Sequence, residues 1–471
     1  MMKQRTAILL VFCLLFTLVC PVGAAEEPIR IGFIDSGISV KHIDPGHVAE
    51  GRNYVFPEAD TQDRIGHGTA TAGMVLGAED QGVAGVFPEA VAVPLVVVDA
   101  YPSGAIENGG PAALCAALRD AVDEFGCRII NISLSTPEDS EELRDAVAYA
   151  ESRGVLIVTC TGNDGEDGTV YYPAAYPTTV SVGSAEGDHP ASFSQTGADL
   201  LTDGVGLTAA TNKNSVASTI VSGTSYSCAI VSGLCARLLT RYPGLTPAEV
   251  RQTLYALAAD LLEPGYDARS GWGYLPPDVT IPYPYLDVAA DAWSYPAICY
   301  VTETGAMNGM GNGTFRPNGT MTRAMFAAVL YRMAGEPEAA DENPFFDVEN
   351  GAWYAGAICW AAGEGIITGY HDGSFGPEDP VTREQLVTIL WRFCGKPEGL
   401  SDLSGFTDAG SVSSWAEEAF RWAAGAGIIG GRPGGILDPK AAVSRAEAAQ
   451  ILMRYLEQPD EHLSILEAVA N

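Results

Sequence analysis

The chain has 471 residues, of which 47% are hydrophobic and 18% charged, and this composition excludes a disordered, collagen-like or low-complexity protein. The 59 acidic residues exceed the 26 lysines and arginines and give a formal net charge of −33. So large an acidic excess disfavours a general binder of nucleic acid or of anionic membranes. At about 150 residues per domain, we expect several domains.

The first 25 residues have the pattern of a secretory signal peptide. Two basic residues precede an apolar run, 7–20, and small residues follow as far as Ala25. A membrane anchor is the alternative, but this run is too short to span about 30 Å of hydrocarbon. Lipid attachment at Cys20 is disfavoured because Val19 stands where a small residue is expected. We therefore expect cleavage after Ala24 or Ala25 and a secreted protein without a membrane segment.

The cysteines do not indicate a disulfide framework. Beyond the signal peptide five lie in the first half of the chain and three in the second, and odd counts cannot all pair within a half. The absence of a CxxC pair disfavours a structural zinc site. We expect most of these residues to be buried free thiols.

Residues 29–275 alternate between strand-like and helix-like segments. Apolar runs predict strands at 29–34, 91–98, 128–133, 155–159 and 179–182. Helices are predicted at 111–125, from Thr136-Pro137 to Gly154, and after the capping-box residue Thr246. This order predicts an α/β fold with a mainly parallel sheet flanked by helices. Prolines between 276 and 284 predict a stiff linker.

After the linker the sequence repeats about every 60 residues. Asp287, Asp347 and Asp408 open three copies, with spacings of 60 and 61 residues. A later Thr-Arg or Ser-Arg pair opens the last helix of each copy, and a tryptophan follows each opening aspartate. We expect these tryptophans to belong to the core of the repeats and not to bind ligand.

Three short segments in the first half carry residues suited to acyl transfer. Asp35 ends the first predicted strand, His67 lies between glycines at a helix start, and Ser225 follows a glycine turn that opens an apolar helix. Active sites in open α/β sheets gather beyond the carboxyl ends of the strands. Ser225 would attack a carbonyl, His67 would accept its proton, and Asp35 would orient the imidazole.

On these motifs, residues 29–275 resemble a subtilisin-type serine protease (subtilase), whose order of catalytic residues is Asp, His, Ser. The resemblance implies that Asn163, after Gly162, contributes to an oxyanion hole. It also implies that Ser133, Leu134 and Ser135 form the strand against which substrate is laid, and that Gly162 belongs to the substrate-binding site.

The sequence departs from the subtilase pattern in several places. Tyr226 and Ala229 replace the usual methionine and proline after the serine, and Ser135-Thr136 replaces the usual Gly-Gly. Few residues separate the predicted cleavage site from Asp35, which leaves no evident propeptide, so we expect folding without one or with help in trans. Whether calcium stabilises the loops is left open, and no cofactor is expected for the chemistry.

Tyr171 stands where subtilases usually have a glycine before Tyr-Pro, here Tyr172-Pro173. A phenol there would fill volume that a large P1 side chain needs. We therefore hypothesise a shallow P1 pocket that prefers alanine, serine or glycine to phenylalanine, leucine or tyrosine. The alternative, in which Tyr171 turns outward to solvent, stays open.

The three repeats resemble S-layer homology (SLH) modules. The resemblance implies a mostly α-helical, pseudo-threefold domain that binds anionic secondary cell-wall polysaccharide through Arg323, Arg383 and Arg445. An arginine at a helix N-terminus suits a carboxylate ketal such as that of pyruvate. The alternative is that these arginines pair with aspartate or glutamate and hold the repeats together.

These patterns predict a secreted serine endopeptidase bound to the cell wall or S-layer, acting on proteins or peptides, with no nucleic-acid partner. A catalytically silent wall-binding protein is the alternative. The predicted segments are a signal peptide 1–25, a protease domain 26–280, SLH repeats 284–340, 341–400 and 401–457, and a tail 458–471.

Overall fold

The computed structural model describes residues 27–165, 170–215, 217–339, 343–399 and 401–458. They form two compact units, which divide between Thr280 and Ile281. The predicted signal peptide, and the predicted tail beyond residue 458, lie outside the described residues. None of the helices in the described ranges is long and apolar enough to cross a membrane.

The first unit contains an 8-stranded sheet and two small hairpins. The strands in chain order are β1 Arg30–Asp35, β2 Arg52–Asn53, β3 Val91–Val96, β4 Val98–Ala100, β5 Ile106–Asn108, β6 Ile129–Ile132, β7 Leu156–Cys160, β8 Val180–Glu186, β9 His189–Pro190, β10 Leu200–Asp203, β11 Leu207–Ala209 and β12 Thr219–Val221. The main sheet has the order β10-β8-β7-β6-β1-β3-β2 and is parallel throughout, with β9 added antiparallel to β8. The predicted strand 91–98 is divided, since β3 ends at Val96 and β4 belongs to a hairpin with β5.

Helices flank this sheet, which confirms the predicted α/β class. They are α1 His67–Leu76, α2 Gly110–Asp123, α3 Glu141–Ser152, α4 Thr224–Arg241 and α5 Pro247–Leu257. Helix α4 packs against β6, β7 and β8 and against α1. Strands β6 and β7 are buried along their whole length because helices cover both faces, which explains their continuous apolar runs.

Two predicted helix starts had different outcomes. The capping box at Thr246 is confirmed, since its side chain accepts the Glu249 N–H and α5 follows. The prediction that α3 begins at Thr136-Pro137 is wrong, because α3 begins at Glu141 behind the N-cap Ser140. Thr136 instead pairs with Tyr172 through two backbone hydrogen bonds of 2.9 and 2.8 Å.

The cysteine prediction is confirmed for the described residues. All eight cysteines within the described residues are free, seven of them are buried, and Cys299 is half-buried. Burial raises the pKa of the Cys160 thiol to about 11, so this group remains protonated at neutral pH.

The second unit contains three repeats of two helices each. The helices are α6 Tyr295–Glu303, α7 Arg323–Met333, α8 Ala355–Gly363, α9 Arg383–Phe393, α10 Glu417–Gly425 and α11 Arg445–Leu456. One apolar core runs through all three repeats, and the equivalent residues Phe315, Phe375 and Leu437 are completely buried in it. No single repeat could bury this surface alone.

A closed ring of backbone hydrogen bonds joins the repeats. Met321 donates to the carbonyl of Val443, Val443 to Val381, and Val381 to Met321, each at 2.9 Å. The three residues lie two positions before helices α7, α9 and α11. The ring gives the second unit its pseudo-threefold arrangement.

The aspartate that opens each repeat binds two consecutive backbone N–H groups. Asp347, for example, accepts from Phe375 at 2.7 Å and from Gly376 at 2.8 Å. Asp287 and Asp408 bind the equivalent groups in their own repeats. Each carboxylate therefore ties the start of its repeat to the segment before the last helix.

Candidate active site

Asp35 and His67 form a hydrogen-bonded pair at the carboxyl end of the sheet. Asp35 ends β1 with only 1% of its surface exposed, and His67 is the first residue of α1. His67 Nδ1 lies 2.8 Å from Asp35 Oδ1 and 3.0 Å from Oδ2. The negative charge of Asp35 is the main reason that the His67 pKa is raised, although burial opposes the shift.

Asp63 holds the start of α1 in place, and the sequence analysis did not identify it. Its Oδ1 accepts the Gly66 N–H at 2.7 Å, and its Oδ2 accepts the Thr69 N–H at 2.8 Å. The Ser36 hydroxyl donates to Asp63 at 3.0 Å and links this cap to the end of β1. An acid four positions before the histidine was the available signal, because carboxylates satisfy free N–H groups at helix starts.

Ser225 is the second residue of α4 and follows Gly223, whose φ of 152° favours glycine. Its Oγ donates to the Ser133 carbonyl at 3.2 Å, and the Ser133 hydroxyl donates back to the Ser225 carbonyl at 2.9 Å. Among the described residues, no hydrogen bond joins Ser225 Oγ to the His67 ring, a contact that often tightens only when substrate binds. The ring of the next residue, Tyr226, lies 5.8 Å from the His67 ring.

Asn163 lies beside the start of α4. Its Oδ1 accepts the backbone N–H of Thr224 at 2.9 Å and the Thr224 hydroxyl at 3.1 Å. A backbone N–H can only donate, so these contacts fix which end of the amide faces Thr224. The Asn163 NH₂ group therefore points away from Thr224 and can donate elsewhere. Gly162 precedes it at a φ of 116°, where a side chain would collide with Gln195.

The predicted substrate strand follows β6 directly. Ser133 is buried, Leu134 is half-buried against the core, and Ser135 is exposed. Ser133 contacts Ser225, and Thr136 pairs with Tyr172. The segment therefore runs from the serine to the loop that holds Tyr171.

Tyr171 makes a hydrogen bond within the loop between β7 and β8. Its hydroxyl donates to Asp164 Oδ2 at 2.7 Å, and the ring is half-buried. Asp164 directly follows Asn163 and raises the pKa of the Tyr171 phenol. The bond is solvent-exposed and joins two residues of the same loop that are seven positions apart.

The three predicted polysaccharide-binding arginines are buried, with 5%, 4% and 6% of Arg323, Arg383 and Arg445 exposed. Each Nε donates to a backbone carbonyl of the next repeat, at 2.7 to 2.8 Å, with the third repeat donating to the first. Within the described ranges, the alternative of pairing with acids applies weakly and to Arg383 alone, whose guanidinium lies 3.7 Å from Glu447. Carbonyl groups are therefore the main partners.

The prediction that the repeat tryptophans belong to the core is wrong. Trp293, Trp353 and Trp415 are 64%, 67% and 52% exposed. Each lies two residues before the first helix of its repeat. Its ring therefore stays outside the core that the helices form. Trp415 lines a cavity of about 180 Å³ that Arg323 also lines.

No group of three or more histidine, cysteine, aspartate or glutamate side chains within the described ranges is arranged to hold a metal ion.

Comparison with known proteins agrees with this architecture. The subtilase family model matches residues 27–273, and the S-layer homology domain model matches 284–327, 344–387 and 405–449. The first match covers just over half of the chain and identifies a serine endopeptidase. The chain belongs to the subtilase family, and its subtilase region is followed by three S-layer homology domains.

Individual relatives match parts of the chain. Subtilisin DY from Bacillus licheniformis is 32% identical over 244 residues, which are 51% of this chain and 86% of that protein. Minor extracellular protease Epr from Bacillus subtilis (strain 168) is 33% identical over 54% of this chain and 38% of its own length. Exoglucanase XynX from Acetivibrio thermocellus is 37% identical over 36% of this chain and 16% of its own length. The solved structure of the S41 psychrophilic protease is 27% identical, covers 53% of this chain and 91% of that one, and gives a TM-score of 0.48.

We expect His67 to titrate above its ordinary pKa of about 6.5, because the Asp35 carboxylate stabilises the imidazolium. Histidine NMR on the full chain carrying Ser225→Ala measures this value without autolysis. Asp35→Asn should lower this pKa, because the negative charge that stabilises the imidazolium is lost. The matched control is Asp188→Asn at an exposed site, which should leave His67 unchanged. Equal His67 values in the Asp35→Asn variant and its parent would contradict the assignment of the shift.

Proposed function

We propose that this protein is a secreted, cell-surface serine endopeptidase that uses an Asp35-His67-Ser225 triad and is held at the cell wall by its S-layer homology domains. The observation that carries the catalytic assignment is the Asp35–His67 hydrogen bond beside the helix start that bears Ser225. The Ser225–Ser133 hydrogen bond favours a second candidate, a catalytically silent wall-binding protein. The labelling experiment below separates the two.

In the proposed reaction, the Asp35–His67 bond fixes the imidazole tautomer. With Nδ1–H donated to Asp35, Nε2 keeps the lone pair that accepts the Ser225 proton. Ser225 Oγ then forms a bond to the peptide carbonyl carbon, and the π electrons of the C=O bond move to its oxygen. When this oxyanion collapses, the C–N bond breaks and the imidazolium gives its proton to the leaving amine. Water next attacks the acyl-enzyme with His67 again as base, which releases the acid and restores Ser225.

The tetrahedral oxyanion would be stabilised by two kinds of donor. The NH₂ of Asn163 is available because its Oδ1 is bonded to Thr224. The backbone N–H of Ser225 lies in the first turn of α4, where the helix dipole favours negative charge. For the equivalent asparagine of subtilisin, removal lowers kcat by about 10²–10³.

The substrate backbone would pair with Ser133, Leu134 and Ser135 as an added strand, with Gly162 opposite. The exposure of Ser135 supports this assignment. Backbone pairing depends little on substrate sequence, so side-chain preference would arise in the pockets.

The catalytic proposal is tested with a fluorophosphonate probe and a peptide substrate. The full chain should be labelled and should hydrolyse the peptide, and Ser225→Ala and His67→Ala should each lose both properties, because the triad acts as a unit. Ser227→Ala is the matched control, since Ser227 is a buried serine of the same helix with its hydroxyl bonded to Asp203. Absence of labelling in the unmodified chain would favour the silent protein, and hydrolysis by purified Ser225→Ala would overturn the triad.

We also propose that Tyr171 makes the P1 pocket shallow. Its hydrogen bond to Asp164 supports this, because it restrains the ring within the loop that also carries Asn163. A large P1 side chain would have to enter volume that Tyr171 already fills, and such overpacking costs about 1–3 kcal/mol.

The P1 proposal predicts a higher kcat/KM for peptides with alanine at P1 than for matched peptides with phenylalanine. Tyr171→Gly should raise cleavage after phenylalanine by about 10-fold or more and change cleavage after alanine little. Tyr171→Phe keeps the ring but loses the hydrogen bond to Asp164. This variant therefore distinguishes the effect of the ring's volume from the effect of its hydrogen bond. A preference of the unmodified enzyme for phenylalanine would contradict the proposal.

Wall attachment is the second part of the proposed function. Arg323, Arg383 and Arg445 each lie at the first residue of a helix capped by threonine or serine, a position that favours anions. The cavity beside Arg323 and the exposed Trp415 support a saccharide ligand, because aromatic rings and arginines suit sugars that carry a carboxylate.

The anchoring proposal predicts that the full chain carrying Ser225→Ala sediments with purified cell-wall sacculi. Sacculi stripped of their secondary polysaccharide should not retain it, because peptidoglycan alone lacks the anionic ligand. Retention should also fall with added salt, since charged contacts are screened. Equal sedimentation with stripped and intact sacculi would show that the polysaccharide is not the partner.

A further inference from the structure

The hairpin of β11 and β12 leads directly to the proposed nucleophile. Strand β12 ends at Val221, and Ser225 follows within the first turn of α4. We call residues 210–215, which follow β11, the hairpin tip. Contacts that hold the hairpin tip therefore restrain the segment that delivers Ser225 to the site.

Side chains from two other loops hold the hairpin tip. Gln81 accepts the Thr211 N–H at 2.9 Å and donates to the Ser215 carbonyl at 2.9 Å, so it binds the tip at two points. Lys41 donates to the Asn212 carbonyl, also at 2.9 Å. The backbone of the tip is thus bonded to side chains that follow β1 and α1 in the chain.

The hairpin tip also contacts the segment that positions His67. The Asn212 amide donates to the backbone carbonyl of Asp63 at 3.1 Å, and the Asp63 side chain caps the start of α1. The Asn212 side chain also lies beside Gly66, where an added Cβ would be 3.3 Å from Asn212 Oδ1. Movement of the tip would therefore act on the start of α1 as well as on the approach to Ser225.

His42 lies between two hydrogen-bond acceptors, one of which belongs to the hairpin tip. Only 7% of its side chain is exposed. Its Nδ1 lies 2.7 Å from Asp80 Oδ2, and its Nε2 lies 2.7 Å from the Lys213 carbonyl oxygen. A carbonyl and an ionised carboxylate can only accept, and a neutral imidazole has a single N–H. Both contacts are therefore hydrogen bonds only when His42 is an imidazolium.

The surroundings of His42 favour this protonated form. The hydrogen bond to Asp80 is the main reason that the His42 pKa is raised, and the Lys213 carbonyl adds to the shift. Burial and the positive charge of Lys41 oppose it. Within the described part of the chain, Asp80 and Lys41 are the charged side chains that face the ring. One of the two hydrogen bonds is therefore lost as the pH rises through the raised pKa.

We infer that His42 is a positioning residue, whose imidazolium clamps the hairpin tip to Asp80 and so aligns Ser225 with His67. The inference rests on the proposed catalytic function and adds a residue outside the triad. Catalysis would need His67 neutral and His42 charged. The rate kcat should therefore rise as the pH passes the pKa of His67 and fall as it passes that of His42.

Exchange of Asp80 separates the charge of the clamp from its hydrogen bonds. In Asp80→Asn the new amide donates to His42 Nδ1 while a neutral ring donates Nε2–H to Lys213, so the clamp no longer depends on pH. His42→Gln has one NH₂ group, which cannot reach both acceptors. Glu79→Gln is the matched control, because Glu79 is an exposed acid in the same turn as Asp80.

Activity is measured as kcat and KM for a peptide between pH 6 and pH 10. The unmodified chain and Glu79→Gln should lose about 10-fold in kcat on the alkaline side, with KM little changed, because the clamp aligns catalytic groups and does not bind substrate. Asp80→Asn should keep its kcat there. His42→Gln should have a kcat lower by about 10-fold at every pH.

Two further measurements use chains that also carry Ser225→Ala and do not depend on activity. Histidine NMR should place the His42 pKa above about 6.5, at the pH where kcat falls in the active chain. Hydrogen exchange at pH 9 should be faster in residues 210–215 of the unmodified clamp than in Asp80→Asn. At pH 6 the two should exchange equally, because the clamp is then complete in both.

The inference would be overturned by an alkaline loss of kcat that persists in Asp80→Asn, by a His42 pKa at or below about 6.5, or by equal kcat in His42→Gln and its control. Faster exchange of the tip without loss of kcat would likewise overturn the positioning role. If His42→Gln does not fold, Asp80→Asn decides. A chain that hydrolyses no peptide at any pH would contradict the proposed function, and the NMR and exchange measurements would still decide whether the clamp exists.

Discussion

The catalytic proposal depends on one hydrogen bond, between the Asp35 carboxylate and His67 Nδ1. The two residues belong to different elements, so the bond exists only because the end of β1 and the start of α1 are held together. Asp63 provides that restraint by binding free N–H groups of α1 and the Ser36 hydroxyl. Replacement of Asp63 would therefore displace the His67 imidazole, although Asp63 itself does not contact substrate. The geometry of the site is thus set by a buried charge that takes no part in the chemistry.

The same principle operates in the second unit, where charged groups bind backbone. Buried arginines contact carbonyls of the neighbouring repeat, and aspartates contact N–H groups of their own repeat. A guanidinium has five N–H donors, so it can satisfy a carbonyl with Nε and still present donors to a ligand. A structural role and a binding role are therefore compatible for Arg323, which lines a cavity of about 180 Å³. For Arg383 the remaining donors already face a carboxylate of the chain.

Much of the fold could be predicted from sequence because it depends on local patterns. Continuous apolar runs indicated the buried parallel strands, and the capping box at Thr246 indicated α5. The start of α3 was mispredicted because Thr136-Pro137 has the local pattern of a helix start. In the structure the Thr136 backbone pairs with Tyr172 instead. The tryptophans were mispredicted because side-chain type does not tell which side of a repeat faces its neighbours. Asp63 and the Tyr171–Asp164 bond were missed although their partners lie six and seven positions away in the chain, because side chains in loops follow no periodic pattern.

The closed ring of hydrogen bonds at Met321, Val381 and Val443 limits how this region can evolve. An open array of repeats can gain or lose one unit at its end, because each unit contacts only its neighbours. Here the last repeat bonds to the first, so deletion of one copy leaves an N–H and a carbonyl unpaired at the centre, along with an arginine that has lost its carbonyl. Insertion of a fourth copy would break the same contacts. Changes in copy number are therefore expected in whole sets of three, and divergence within a set proceeds by substitution in individual repeats.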